Sequence, residues 1–151
     1  MPEDSLPVDA DTAVRLRIVL SRLARQLNLS ASGIGLSPTQ LAIFTAVARR
    51  GPVGLGRLAE LESVNASMLS RVIGKLEATG LVERLVDPDD GRAFVVSVTP
   101  RGREAHQRIK EEKTAWLADQ LAELDPHRAR DLLAALPALE DLAAVLREQA
   151  A

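Results

Sequence analysis

Between Asn65 and Val98 the apolar pattern changes period without an intervening linker. Leu69, Val72, Ile73 and Leu76 fall at i, i+3, i+4 and i+7, the spacing of one buried stripe on a helix, with Asn65 as its N-cap and Gly80 as its stop. Val82, Leu85, Val86, Phe94, Val95, Val96 and Val98, mostly β-branched or aromatic, then flank Asp87-Pro-Asp-Asp-Gly-Arg92, whose Pro, Asp and Gly break regular structure. That arrangement predicts a β-hairpin directly after a helix. Its six-residue polar connection, longer than a two-residue hairpin turn, is of the kind that often carries function.

The residues before it add two more helices. Ser37-Pro38-Thr39-Gln40 supplies a hydroxyl N-cap, a proline at the first helical position and a Gln that can close a capping box. The helix starting at Pro38 stops near Arg50, because Gly51 can take a left-handed cap and Pro52 cannot continue. After the loop PVGLG, Leu55, Leu58, Ala59 and Leu61 suit a helix of about two turns. Opposite the stripe of the next helix lie Ser67, Arg71, Gly74 and Ala78, flanked by Ser70 and Lys75, a small, polar and basic face. Two short helices with such a second helix resemble a helix-turn-helix, and the hairpin makes it winged. Gly74 suits close approach of the backbone to a partner, although a tolerated surface glycine has the same spelling.

The ends of the chain are helical as well. Leu16, Val19, Leu20, Leu23 and Leu27 recur at helical spacing before the breaker run SASGIG. Thr99-Pro100 opens a helix through His106, Ile109, Trp116 and Leu117, and Asp125-Pro126 opens another. The last segment carries Leu132, Leu133, Leu136, Leu139, Leu142 and Leu146, with Pro137 expected to kink or divide it. A compact winged core cannot cover so many apolar positions, so a partner is expected, and paired reading heads favour a two-fold dimer. The reading is a mainly α fold with a small β-hairpin wing (α+β): one domain over 1–151, a winged helix-turn-helix core at 37–100, and dimerisation helices at 8–34 and 101–151.

Composition removes other classes. The 151 residues contain no cysteine and two histidines, His106 and His127, in separate segments, which argues against disulfides and metal sites; no cofactor is expected. No apolar run approaches the ~18 residues of a membrane span, and the acidic start MPEDSLPVDADTA lacks the pattern of a secretory signal, so a soluble, cytoplasmic protein is expected. No Ser-His-acid set, phosphate-cradling loop or metal spacing supports an enzyme. The net charge of −2 hides an uneven distribution, since residues 111–151 carry nine acidic and four basic groups while residues 64–110 carry eight basic and six acidic. The middle of the chain can therefore face an anion.

This order of elements resembles the multiple antibiotic resistance regulator (MarR) family of winged helix-turn-helix transcription factors. The resemblance is carried by Asp90-x-Arg92 followed by Thr99-x-x-Gly102, by GLVER at 80–84 and by Ser70-Arg71; it departs from the family pattern at Gly91, where many members have a second arginine, and at Val98, usually leucine. It implies an obligate homodimer with interlocked first and last helices, reading an inverted-repeat (palindromic) operator in double-stranded DNA, often as a repressor, and released by a small aromatic or anionic effector bound between the dimer helices and the reading head. The DNA-binding set expected is Asn65, Ser67, Ser70, Arg71, Lys75, Arg84, Asp90 and Arg92, and the dimer set Leu16, Leu20, Leu132, Leu136, Leu139, Leu142 and Leu146. Arg92 would enter the minor groove, and the resemblance implies that Asp90 pairs with it and directs its side chain. With only Arg71 and Lys75 basic on the second helix, a winged-helix protein-interaction module is the alternative.

Overall fold

The computed structural model describes residues 8–30 and 34–149. The acidic start at 1–7 and the part of the breaker run at 31–33 lie outside them. In order, the elements are α1 (Ala10–Leu29), α2 (Pro38–Arg50), β1 (Val53–Gly54), α3 (Leu55–Leu61), α4 (Ala66–Ala78), β2 (Val82–Val86), β3 (Phe94–Val98), α5 (Pro100–Ala122), α6 (Pro126–Ala134) and α7 (Leu136–Gln149). Two compact units are present, Met1–Lys113 and Thr114–Ala151.

In the first unit the helix boundaries follow from their caps. Ser37 and Gln40 form the reciprocal capping box: the Ser37 amide donates to Gln40 Oε1 at 2.9 Å, and the Gln40 amide to Ser37 Oγ at 3.3 Å. Gly51, at φ 77°, closes α2. Asn65 Oδ1 accepts from the Met68 amide at 2.8 Å and so starts α4. That helix ends in a left-handed turn at Gly80 (φ 72°), where the Leu81 amide reaches back to the Leu76 carbonyl at 3.0 Å.

The hairpin is part of a larger sheet. β2 and β3 pair antiparallel with Val82 opposite Val98 and Val86 opposite Phe94, and β1 adds to the free edge of β3 with Val53 opposite Val96. The strand order is therefore β1-β3-β2, and part of the PVGLG segment, expected as loop, is strand. Two residues are too few to show a period-2 pattern, so only pairing with β3 makes them a strand.

The core of this unit joins Phe44, Ile43 and Val47 of α2, Leu58 of α3, Leu69, Ile73 and Leu76 of α4, and Val96 of β3. Ala105 and Ile109 of α5 belong to the same core, so its first turns close the head. Truncating a side chain such as fully buried Phe44 to alanine would cost about 3–5 kcal/mol.

In the second unit, Asp125 caps α6 by accepting from the amides of His127 and Arg128. Pro137 divides the terminal segment: α6 ends at Ala134 and α7 begins at Leu136, because proline cannot donate the hydrogen bond that would continue the helix. Leu132, Leu133, Leu136, Leu142, Val145 and Leu146 are exposed, and Leu139 is half-buried. Among the described residues, no helix is long and apolar enough to cross a membrane.

Candidate nucleic-acid interface

α4 divides cleanly by burial. Leu69, Val72, Ile73 and Leu76 are buried, whereas Ser67, Ser70, Arg71, Gly74, Lys75 and Ala78 are exposed. The outer face is thus small, polar and basic along its whole length, as the helical spacing predicts. A Cβ added at Gly74 would meet no atom within 4 Å, so no contact inside the chain demands glycine there. Asn65 is also exposed, with its side-chain oxygen engaged in capping.

The wing loop runs from Asp87 to Ala93 and is closed by the Asp87 amide donating to the Ala93 carbonyl at 2.9 Å. Its acidic residues shape it. Asp87 Oδ1 accepts from the Asp89 amide at 2.9 Å, and Asp90 Oδ1 accepts from the Arg92 amide at 3.0 Å, two successive Asx turns. Asp90 therefore holds the backbone of Arg92; the side-chain ion pair that the resemblance implies does not form. Asp90 and Arg92 are both exposed on the loop.

Arg84 sits on β2, with Nε 3.3 Å from Glu77 Oε2, and so ties the strand to the last turn of α4. Both side chains are about one-third exposed, so the pair is a modest orienting contact and a weak source of stability. Val86 and Phe94, directly opposed near the wing tip, are exposed apolar residues.

A cavity of about 730 Å³ lies between α4 and α5. Lys75, Ala78 and Thr79 form one wall and Arg101, Ala105 and Arg108 another, with Leu36 and Leu81 among the apolar lining. Sequence reading missed these arginines. Arg101, Ala105, Arg108 and Glu112 are spaced i, i+4, i+7 and i+11, one face of α5, but the face is informative only once buried Ala105 shows which side meets α4.

Comparison with known proteins adds to this geometry. The family model described as MarR family matches residues 36–94, from the loop before α2 to the start of β3. The chain is 36% identical over 128 residues to an uncharacterised HTH-type transcriptional regulator of Mycobacterium bovis, covering 85% of this chain and 89% of that protein. It is 31% identical over 110 residues to the multiple antibiotic resistance protein MarR of Salmonella typhimurium, covering 67% and 76%. Among solved structures, a candidate transcriptional regulator from Pseudomonas aeruginosa PA01 superposes with a TM-score of 0.77 at 27% identity, covering 93% of this chain and 98% of that one.

Proposed function

The chain belongs to the MarR family of helix-turn-helix, DNA-binding transcriptional regulators, and from that premise we propose that it is a cytoplasmic homodimeric repressor that binds an inverted-repeat operator and is released by a small aromatic or anionic effector. The family assignment sets aside the protein-interaction alternative and any enzymatic role.

The observation that carries the dimer is the state of the apolar faces. Leu16, Val19, Leu20 and Leu23 of α1, and Leu132, Leu136, Leu142 and Leu146 in α6 and α7, are exposed in a single chain. Rows of leucine in water are unfavourable at about 25 cal/mol per Å², and a second copy offers the same faces in return. In this reading residues 37–100 form the reading head and 8–34 and 101–151 the dimer helices, with Ala105 and Ile109 shared with the head. Two heads related by a two-fold axis read an inverted repeat, because each presents the same helix to one half-site.

Within each head, the exposed face of α4 suits the major groove, where Ser67 and Ser70 can reach base edges or phosphates and Arg71 and Lys75 neutralise phosphate or reach guanine. Arg92, raised on the Asx-turned loop, suits the adjacent minor groove, whose negative potential attracts guanidinium. Asp90 acts by shaping that loop, Arg84 by orienting β2 against α4, and Asn65 by capping. Repression needs no additional surface, since occupying promoter DNA suffices.

The cavity between α4 and α5 supports the effector. Its volume lies within the ~300–1,000 Å³ typical of small-molecule pockets, and three cations, Lys75, Arg101 and Arg108, against one carboxylate, Glu112, beside apolar Leu36 and Leu81 suit a planar anion. Because Lys75 and Ala78 of the reading helix line it, an occupant can favour one position of α4 over another.

Selection of duplexes from a random pool, followed by gel shift and light scattering on the winning sequence, tests the reading. An inverted repeat holding two chains is expected. One asymmetric site, filled by a single chain at full affinity, would overturn it.

A further inference from the structure

The proposed dimer accounts for the apolar rows on the first and last helices, but it leaves one apolar surface of the head without a partner. Among the described residues from 37 to 100, the exposed large hydrophobic side chains are Leu85, Val86 and Phe94, all on the wing strands. Val86 is 58% exposed and Phe94 55%, whereas the chain's other phenylalanine, Phe44, is fully buried. Val86 and Phe94 are directly opposed, so their apolar surface is contiguous, the arrangement that marks contact with a partner.

Strand geometry fixes the face on which the pair lies. Arg84 is opposite Val96 and Val82 opposite Val98, each two residues along from Val86 and Phe94. Residues two apart share a face, so the pair continues the side on which Val82, Val96 and Val98 join the core with Leu69, Ile73 and Leu76 of α4. Arg84, the step before the pair on that side, meets Glu77 in the last turn of α4. Beyond Arg84 the face emerges from the core, and the exposed pair stands between α4 and the loop that carries Arg92. Leu85 lies on the other face, opposite Val95, which stands outside the core cluster.

We propose that Val86 and Phe94 seat the wing on DNA through apolar contact with the deoxyribose rings of the strand that runs between the two grooves. The inference rests on the operator reading: with α4 in the major groove and Arg92 in the adjacent minor groove, one sugar-phosphate backbone passes between them, and the pair faces that gap. Deoxyribose presents C–H surface beside its phosphates, and a phenylalanine ring with valine methyls matches that surface without charge or hydrogen-bond donors. Arg71, Lys75 and Arg92 supply the cations, and the pair supplies apolar area. Contacts to sugar carry no base information, so the pair adds affinity on every sequence alike.

Val86→Thr and Phe94→Thr remove apolar surface while keeping a strong strand former, and Leu85→Thr does the same on the opposite face. The full-length protein and each variant are titrated against the selected operator duplex over a series of potassium chloride concentrations, with circular dichroism and thermal midpoints to establish folding. Val86→Thr and Phe94→Thr should each weaken binding about five- to tenfold. The slope of log affinity against log salt should stay at the parent's value, because an apolar contact releases no counterions. Phe94→Leu should keep most of the affinity and Leu85→Thr all of it. Parental affinity in both Val86→Thr and Phe94→Thr, an equal loss in Leu85→Thr, or a loss accompanied by a shallower salt slope would overturn the inference and leave the operator reading standing. A parent protein that binds no duplex overturns that reading, and the inference falls with it.

Discussion

The Thr99 hydroxyl donates to the Gly80 carbonyl at 2.6 Å across 19 residues, and its oxygen accepts from the Gly102 amide at 2.9 Å. One side chain thus caps α5 and fastens its first turn to the turn that ends α4. Gly102 completes the join: a Cβ there would collide with the Leu81 carbonyl oxygen. Thr99→Val should cost about 2–3 kcal/mol, combining a lost cap with an unpaired half-buried carbonyl, while Thr99→Ser should keep most of the stability. Gly102→Ala should cost about 1–3 kcal/mol through forced backbone movement. Urea denaturation of the three variants checks the order.

Ser63, in the turn between α3 and α4, holds φ at 51°, in the left-handed region. That conformation costs a non-glycine residue about 1–2 kcal/mol. Ser63→Gly should therefore recover up to about 1 kcal/mol, the added freedom of the unfolded glycine offsetting part of the gain. A lower urea midpoint than the parent's would show that the serine is not strained.

Arg92→Ala should weaken binding to the selected operator by about 1–3 kcal/mol and leave the thermal midpoint unchanged, since its side chain is exposed on the wing loop. If the guanidinium meets phosphate, the slope of log affinity against log salt should also fall by about 1. Arg71→Ala gives a second arm: a uniform loss across sequences marks phosphate contact, and relaxed preference at one base pair marks guanine. Parental affinity in both variants, measured at one salt concentration, would remove them from the interface.

Leu142 is exposed in the single chain and lies in the apolar row of α7. If that row is covered by a second copy, Leu142→Asp buries an unpaired carboxylate and should cost several kcal/mol of association. Dimer and operator binding should be lost together, because one head cannot span successive major grooves about 34 Å apart. Sedimentation beside a gel shift, with circular dichroism for folding, measures this. A folded monomer with parental operator affinity contradicts the two-fold reader.

His106 links stability to acidity. Its folded-state pKa is depressed below 6.5 by burial and neighbouring cations, so the unfolded chain takes up the proton more readily. The stabilisation is fully present above pH 6.5 and is lost as pH falls through the depressed folded value. His106→Gln should therefore lose less stability than the parent between pH 7 and pH 5. Denaturant midpoints at both pH values check the sign, and identical acid sensitivity in parent and variant would dismiss His106 as its source.

Local signals were legible wherever a residue's neighbours in sequence decide its conformation. The capping box of Ser37 and Gln40, the Asn65 cap, the left-handed turn at Gly80 and the buried stripe of α4 depend on contacts within a few residues, and each stands where its spelling puts it. The same holds for the hairpin, whose β-branched flanks and Asp-Pro turn announce it, and for the break at Pro137.

Contacts between distant residues were not legible in this way. Strand Val53–Gly54 exists because β3 has a free edge, the Asp90 carboxylate accepts from the Arg92 amide within the turn, and Arg84 meets Glu77 because β2 passes the end of α4. Arg101 and Arg108 face a cavity, and Arg49 and Lys113 another, only once α5 has packed on the head through Ala105 and Ile109. By itself the sequence determined the helices, the hairpin and the polar outer face of α4, since periodicity and capping are local. Tertiary packing decided which cations converge on a concave surface, because convergence depends on helices brought together by a shared core.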